Sequence, residues 1–350
     1  MVIKTNITEM FGIKHPIFNA PMGPFYTKEL TVAVSEAGGL GVLSNTGLIS
    51  EYQAGITPVD TMKKNMEYVV EHTDKPFGFN ILASRTAPSA IPLCKKIPEY
   101  IMNNPKIKEQ CIYALTSAGS SRMLPQTQSF KKLRESGSNI KHFHVAPALW
   151  LADKCIASNV DGMVVTGNEG GGHQSYERVS SLVLLQQVTE KYPDIPIAAC
   201  GGYATGQALA AALAMGAGAM VMGSRFIASK ESEFNDAIKN IIPPAKAQDT
   251  ILVTGGFGPI RLWKNKYSLS RGMVANKEEK MAQEAQTSPA QVLEQAKKYE
   301  LAYNGNVEDG AVLVGQSIGI INSLESVPDL IENIVKKAEK RIKSISGFLN

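Results

Sequence analysis

The segment "GNEGGGHQS" (Gly167–Ser175) puts one imidazole, His173, directly behind three glycines and a carboxylate, Glu169. A free imidazole titrates near ~6.5, so it can take up or return a proton close to neutral pH. Glycine costs roughly 0.5–1 kcal/mol relative to alanine inside regular structure, so such a run belongs where another group must come close to the backbone. Two further stretches have a related character. "ACGGYATGQ" carries Gly201 and Gly202, "MGSRF" carries Gly223 and Ser224, and each closes an apolar run and opens a helical one. Unpaired N–H groups and the positive end of a helix dipole at such junctions receive anions, phosphate above all.

The remaining chemistry-bearing residues suit a flat ring. "NAPMG" offers Pro21, Met22 and Gly23 as a surface for it to lie against, and Asn80 offers an amide that both donates and accepts. A phosphate cradle on one side and a hydrogen-bonding platform on the other, with Glu169 to His173 between them, describe a bed for FMN.

Eight short apolar runs position these residues: 16–22, 40–44, 77–83, 111–119, 140–148, 162–170, 195–202 and 218–226. Each is too short and too apolar to have a wet face, the mark of a parallel strand covered on both sides. Helical segments alternate with them. "TKELTVAVSEAGG" and "TGQALAAALAMGAG" each begin on a threonine cap and end on glycine. Strict alternation of eight such units predicts an α/β fold of the (β/α)₈ TIM-barrel type, with a doubly wound open sheet as the alternative. The glycine and polar residues gather after strand C-terminal ends, where barrel sites are built, and the loops after strands seven and eight are the usual phosphate-binding pair.

The rhythm stops after Phe226. The expected organisation is a barrel over 1–229, a helical insertion over its mouth at 230–308 with no strand run, and C-terminal helices at 309–350, two of them split around Pro328.

Composition narrows the function class. A net charge of +4 over 350 residues leaves no basic face for nucleic acid, and the C-terminal "KKAEKRIK" reads as a solvated helix face. The four cysteines form no C-x-x-C pair, which fits a reducing compartment and excludes a zinc-site spacing. No signal-like or membrane-length apolar run is present, so a soluble, cytoplasmic protein without a membrane partner is expected. His142 and His144 share one strand face but lack a third ligand, so no metal is assigned; packing or pocket lining is the plainer reading. Arg225 could pair with a phosphate or brace the tail, and Cys200 reads as a small buried hydrophobe.

The segments "APMG…AVSEAGGLGVLS", "KPFGFNI", "GNEGGGH", "IPIAACGGYATGQALAAALAMGA", "VMGSRFIASKES" and "VEDGAVLVGQSIG" resemble, in the same order, the nitronate monooxygenases, formerly 2-nitropropane dioxygenases. They are also similar to the related FMN-dependent enoyl-ACP reductases and NAD(P)H:quinone reductases. The resemblance implies a TIM barrel with FMN held noncovalently at its C-terminal face. It adds a flavin contact from Gly315 and Gln316, includes Gly171 and Gly172 in the cofactor bed, and makes His173 the catalytic residue. A histidine merely hydrogen-bonded to flavin or loop backbone is the competing reading. Gly170 stands where the family usually has alanine and Ser224 where it has threonine, while 84–110 and 240–300 match poorly. The expected reaction is oxidation of an alkyl nitronate with dioxygen to a carbonyl compound and nitrite. The alternative is NAD(P)H-dependent reduction of an enoyl-ACP or quinone acceptor. A flavin-binding module without turnover is a third reading. The expected partners are a small-molecule substrate and NAD(P)H as a candidate reductant, with a homodimer as the candidate assembly.

Overall fold

The computed structural model describes residues 3–84, 87–256, 258–286 and 289–349. Eleven strands are present among them: β1 (Ile17–Asn19), β2 (Gly41–Leu43), β3 (Phe77–Leu82), β4 (Cys111–Ser117), β5 (Lys141–Ala146), β6 (Gly162–Thr166), β7 (Gly172–His173), β8 (Ile197–Cys200), β9 (Ala219–Met222), β10 (Thr250–Gly255) and β11 (Gly258–Trp263). Eight of them form one parallel sheet in the order β1-β9-β8-β6-β5-β4-β3-β2. A parallel bridge from Phe18 to Leu40 returns the last strand to the first, so the sheet closes as the TIM barrel expected.

The closure is short of backbone bonds, and one side chain supplies what is missing. Asn19 is fully buried; its Oδ1 accepts from Val42 N (2.7 Å) and its Nδ2 donates to Val42 O (2.9 Å), the two bonds a strand neighbour would make. Asn19→Leu strands both Val42 groups in the core. At about 1–3 kcal/mol for each orphaned group, urea titration should show a loss on the order of 3 kcal/mol; an unchanged midpoint would mean the seam closes without the amide.

Alternation along the strands sorts the core into layers. Phe18, Val42, Tyr113, Leu115, Phe143, Val164, Ala198 and Val221 point inward and fill the barrel, joined by Ile7 and Phe11 of the helix Asn6–Phe11. That helix plugs the N-terminal mouth, where Thr5 Oγ1 donates to Gly218 O just before β9 (2.7 Å). Residues of the other parity, such as Phe79, Ile81, Met163, Val165 and Met220, face the surrounding helices. Thr205 caps the helix Gly206–Ala214 as expected, accepting from Ala208 N. Thr27 does not cap Lys28–Glu36; its hydroxyl is bonded to Ser44 instead.

Two expectations for the C-terminal third are corrected. Between 230 and 308 the chain holds the helices Asp236–Ile241, Lys266–Leu269, Lys277–Gln286 and Pro289–Tyr303, but also the antiparallel hairpin β10–β11, paired from Thr250↔Trp263 to Gly255↔Gly258. It buries the β-branched Val253 and Ile260, with Leu262, against Ala311, enough packing to outweigh the helix-forming composition on either side. Further on, Pro328 does not split two helices. It lies in the first turn of a single helix, Val327–Ser346, where its missing N–H is no loss, and Ser326 caps the start. Between residue 309 and that helix, the one regular element among the described residues is a 3₁₀ turn, Gln316–Ile320. Among the described residues no helix is long and apolar enough to cross a membrane.

Candidate active site

Beyond β6 the chain leaves the barrel as the loop 167–171 and then returns to extended backbone. The two residues of β7 join the hairpin as a third antiparallel strand, with His173 opposite Ile260 and Gly172 opposite Arg261, and Gln174 N donates to Pro259 O (2.7 Å). The half-buried His173 is therefore held at the barrel mouth by main-chain pairing to the insertion.

The glycine loop has few side chains, so its neighbours hold it. The Glu169 carboxylate accepts from Ser181 N (2.9 Å) at the start of the helix Ser181–Lys191. The Ser181 hydroxyl lies 2.8 Å from the same carboxylate and 2.5 Å from Gly201 O, tying the loop to the end of β8. Glu169 O accepts from Gln316 N (2.8 Å), and Ser224 Oγ accepts from Gly315 N (2.9 Å). Contact between these backbones is tight: a Cβ on Gly171 would sit 2.6 Å from Val314 C, and one on Gly315 2.6 Å from Glu169 O. Residues far apart in sequence, Glu169, Gly171, Gly201, Gly202, Ser224, Gly315 and Gln316, thus share one corner of the barrel mouth. A groove of about 370 Å³ opens there, lined by Glu169, Gly201, Gly202, Tyr203 and Gln316 among others.

The corner presents donors. Gly201 and Gly202 adopt φ of +89° and +83°, left-handed values that glycine takes without a Cβ penalty. The N–H groups of Gly202 and Tyr203, and those of Ser224 and Arg225 in the first turn of the short helix Ser224–Ile227, have no acceptor among the described residues. Two glycines of the rim face open space: a Cβ on Gly172 would meet nothing within 4 Å, and one on Gly223 only Ala20 Cβ at 3.7 Å.

In ring order β3 stands across from β8. There Asn80 Nδ2 donates to Leu115 O (3.2 Å) and Ser117 Oγ (3.1 Å), so its amide donors are committed to β4. At the β1 rim Met22 N donates to Ser44 Oγ (2.7 Å), which fixes the Pro21–Met22–Gly23 turn. Cys200 is on the inward face of β8 at the mouth, half-buried, and burial raises its thiol pKa.

Arg225 braces the tail: Nη1 donates to Ser323 O (3.0 Å) and Nη2 to Glu325 Oε1 (3.1 Å). His142 and His144 face outward, away from the mouth. Both lie 2.7 Å from the Thr116 hydroxyl, and burial pushes their pKa values down to about 3 and about 4, so they are neutral packing residues. No group of acidic, histidine or cysteine side chains able to hold a metal occurs among the described residues. Sequence reasoning missed Arg261, whose Nε donates to Asn168 O in the glycine loop (2.9 Å) and whose Nη1 donates to Thr250 Oγ1 (3.1 Å). Its signal lay in the alternation of "GPIRLW", which only a strand assignment would have exposed.

A closed parallel barrel with glycine junctions at the C-terminal ends of β8 and β9 defines a (β/α)₈ protein. The nitronate monooxygenase family model matches residues 4–337, and the chain belongs to that family. It is 30% identical, over all of both chains, to a 5-hydroxy-7a-methyl-1-oxo-octahydro-indene-4-carboxyl-CoA dehydrogenase of Mycobacterium tuberculosis. It is 25% identical to a nitronate monooxygenase of Paraburkholderia phytofirmans over 99% of this chain and 98% of the other. The structure of FabK from Thermotoga maritima superposes with a TM-score of 0.78 at 28% identity, covering 99% of each chain. The chain is an oxidoreductase of this family.

Proposed function

We propose that the chain binds FMN at this mouth and uses His173 to move a proton at a carbon beside an electron-withdrawing group. The residues present suit the cofactor. The free N–H groups of Gly202, Tyr203, Ser224 and Arg225 would take its phosphate, and Pro21, Met22, Gly23 and Asn80 would border the flat ring across the mouth. Gly171, Gly172 and Gln316 would lie along it, with the open space over Gly172 giving it room. Glu169 holds the loop in place through Ser181. When bound, FMN would supply the two-electron acceptor or donor for a hydride.

The observation that supports this reading is that His173 follows directly on the glycine loop, whose Gly171 packs on Gly315, the residue bonded to Ser224, and stands on a strand strapped to the hairpin. An imidazole carried on a paired strand is suited to remove or return a carbon-bound proton. The substrate class favoured is an acyl thioester undergoing oxidation or reduction between its α and β carbons, with the α proton handled by His173. This choice is supported by the full-length 30% identity to carboxyl-CoA dehydrogenases of two actinobacteria, M. tuberculosis and Rhodococcus jostii. Nitronate oxidation with dioxygen is the second reading, favoured by the family model and the Paraburkholderia relative.

Anaerobic mixing of FMN-loaded protein with an acyl-CoA, with an alkyl nitronate, and with NADH or NADPH followed by an enoyl-CoA separates these readings. Bleaching of the visible flavin band by the acyl-CoA, or reoxidation by the enoyl-CoA, is the expected result. Bleaching by nitronate alone would transfer the assignment to the second reading. A flavin unmoved by every reagent would overturn both.

A further inference from the structure

The phosphate corner carries an electrostatic contradiction. The Glu169 carboxylate lines the same groove as Gly201 and Gly202, and a Cβ on Gly202 would lie 3.3 Å from Glu169 Cβ. A carboxylate lining that groove opposes a phosphate dianion there unless a cation balances it. The arginine that follows the cradle in sequence cannot serve, because both Nη atoms of Arg225 are turned to Ser323 and Glu325.

We propose that Arg261, delivered by the β10–β11 hairpin, is the charge-balancing residue that allows this corner to accept the phosphate of FMN; this rests on the FMN reading above. Arg261 is only 5% exposed, yet it has no carboxylate in direct contact among the described residues. Its Nε and Nη1 are spent on Asn168 O and Thr250 Oγ1, which fixes the guanidinium plane against the glycine loop. Nη2 has no acceptor among the described residues, so a planar donor is left in reserve. Arg261 stands opposite Gly172, and across an antiparallel pair opposed residues share a face, so its side chain leaves the hairpin on the side where Gly172 faces open space. The guanidinium and the Glu169 carboxylate attract one another across the loop. A buried arginine held by neutral acceptors and facing an acid it does not touch is a charge kept for a third party.

The distinguishing feature is that charge balance matters for the phosphate alone, whereas a loop-holding role matters for the whole flavin. Apoprotein stripped of flavin is titrated with FMN and with riboflavin, following quenching of flavin fluorescence, for wild type, Arg261→Gln and Arg261→Lys, with folding of each checked by circular dichroism. Arg261→Gln should weaken FMN at least about tenfold while leaving riboflavin within about threefold. Arg261→Lys, which keeps the charge and loses the fork, should fall between. Adding Glu169→Gln to Arg261→Gln should recover part of the FMN affinity, because the uncompensated acid is removed. Equal weakening of both flavins, or an unchanged preference for FMN over riboflavin, overturns the proposal. Wild-type protein that binds neither flavin would overturn the FMN reading itself, a separate outcome.

Discussion

His173→Asn leaves the flavin bound and lowers the rate of substrate-driven flavin reduction by about 10²–10⁴-fold, the range that loss of a positioned acid–base group produces. The substitution leaves the main-chain pairing at this position in place. Residue 173 is paired to Ile260, and Gln174 N reaches Pro259 O, so the strand remains docked whichever side chain it carries. The glycine loop before it is held by Ser181, Gln316 and the Gly171–Gly315 contact, none of which involves the ring. Asparagine retains a hydrogen-bonding atom but cannot accept a proton near neutral pH. Stopped-flow reduction at saturating substrate reads the chemical step, and a parallel FMN titration reads binding. A rate within about tenfold of wild type would assign His173 to hydrogen bonding alone, the competing reading of the sequence. A collapse of FMN affinity with no change in the rate of the loaded fraction would point the same way.

The barrel was legible because its signals are local. Each of the eight apolar runs is a strand with both faces covered, and every run became a barrel strand. The glycine junction after β8 was legible for a related reason: Gly201 and Gly202 close an apolar run just before a threonine-capped helix, and both do take left-handed backbone. The illegible features depend on partners distant in sequence. Thr27 sits where an N-cap belongs, yet Ser44 claims its hydroxyl. The run "TILVTGGFGPIRLW" has strand chemistry, but lies between Lys- and Glu-rich helices whose composition dominates any window drawn across it. With the hairpin unseen, the two-residue strand of His173 had no partner, and Arg261 had no reason to be singled out. The histidine pair shows the same limit. Spacing places His142 and His144 on one face, but which face points inward is set by Phe143 and Val145 filling the barrel.

That outward placement makes the fold sensitive to acid. His142 and His144 are almost fully buried between barrel and helices, sharing one threonine hydroxyl, with the Phe130 ring edge-on to His142. Burial lowers both pKa values, to about 3 and about 4, and for His142 the neighbouring His144 and Arg134 charges add to the effect. In the unfolded chain both titrate near 6.5. The unfolded state therefore binds more protons below that value, and stability must fall as the pH drops. The contribution is intact above about pH 6.5 and drains away towards the folded values, reaching on the order of 4 kcal/mol by about pH 5 for the pair. Urea titrations at a series of pH values should show this loss in wild type. His144→Gln keeps a polar atom near Thr116 and removes one titrating group, so its stability should decline less steeply over the same interval, by about 1.4 kcal/mol per pH unit. Because carboxylates respond equally in both proteins, the difference between the two slopes isolates the histidine. Parallel curves for variant and wild type would mean that the imidazoles gain protons inside the folded barrel, with water or a shifted helix meeting the charge.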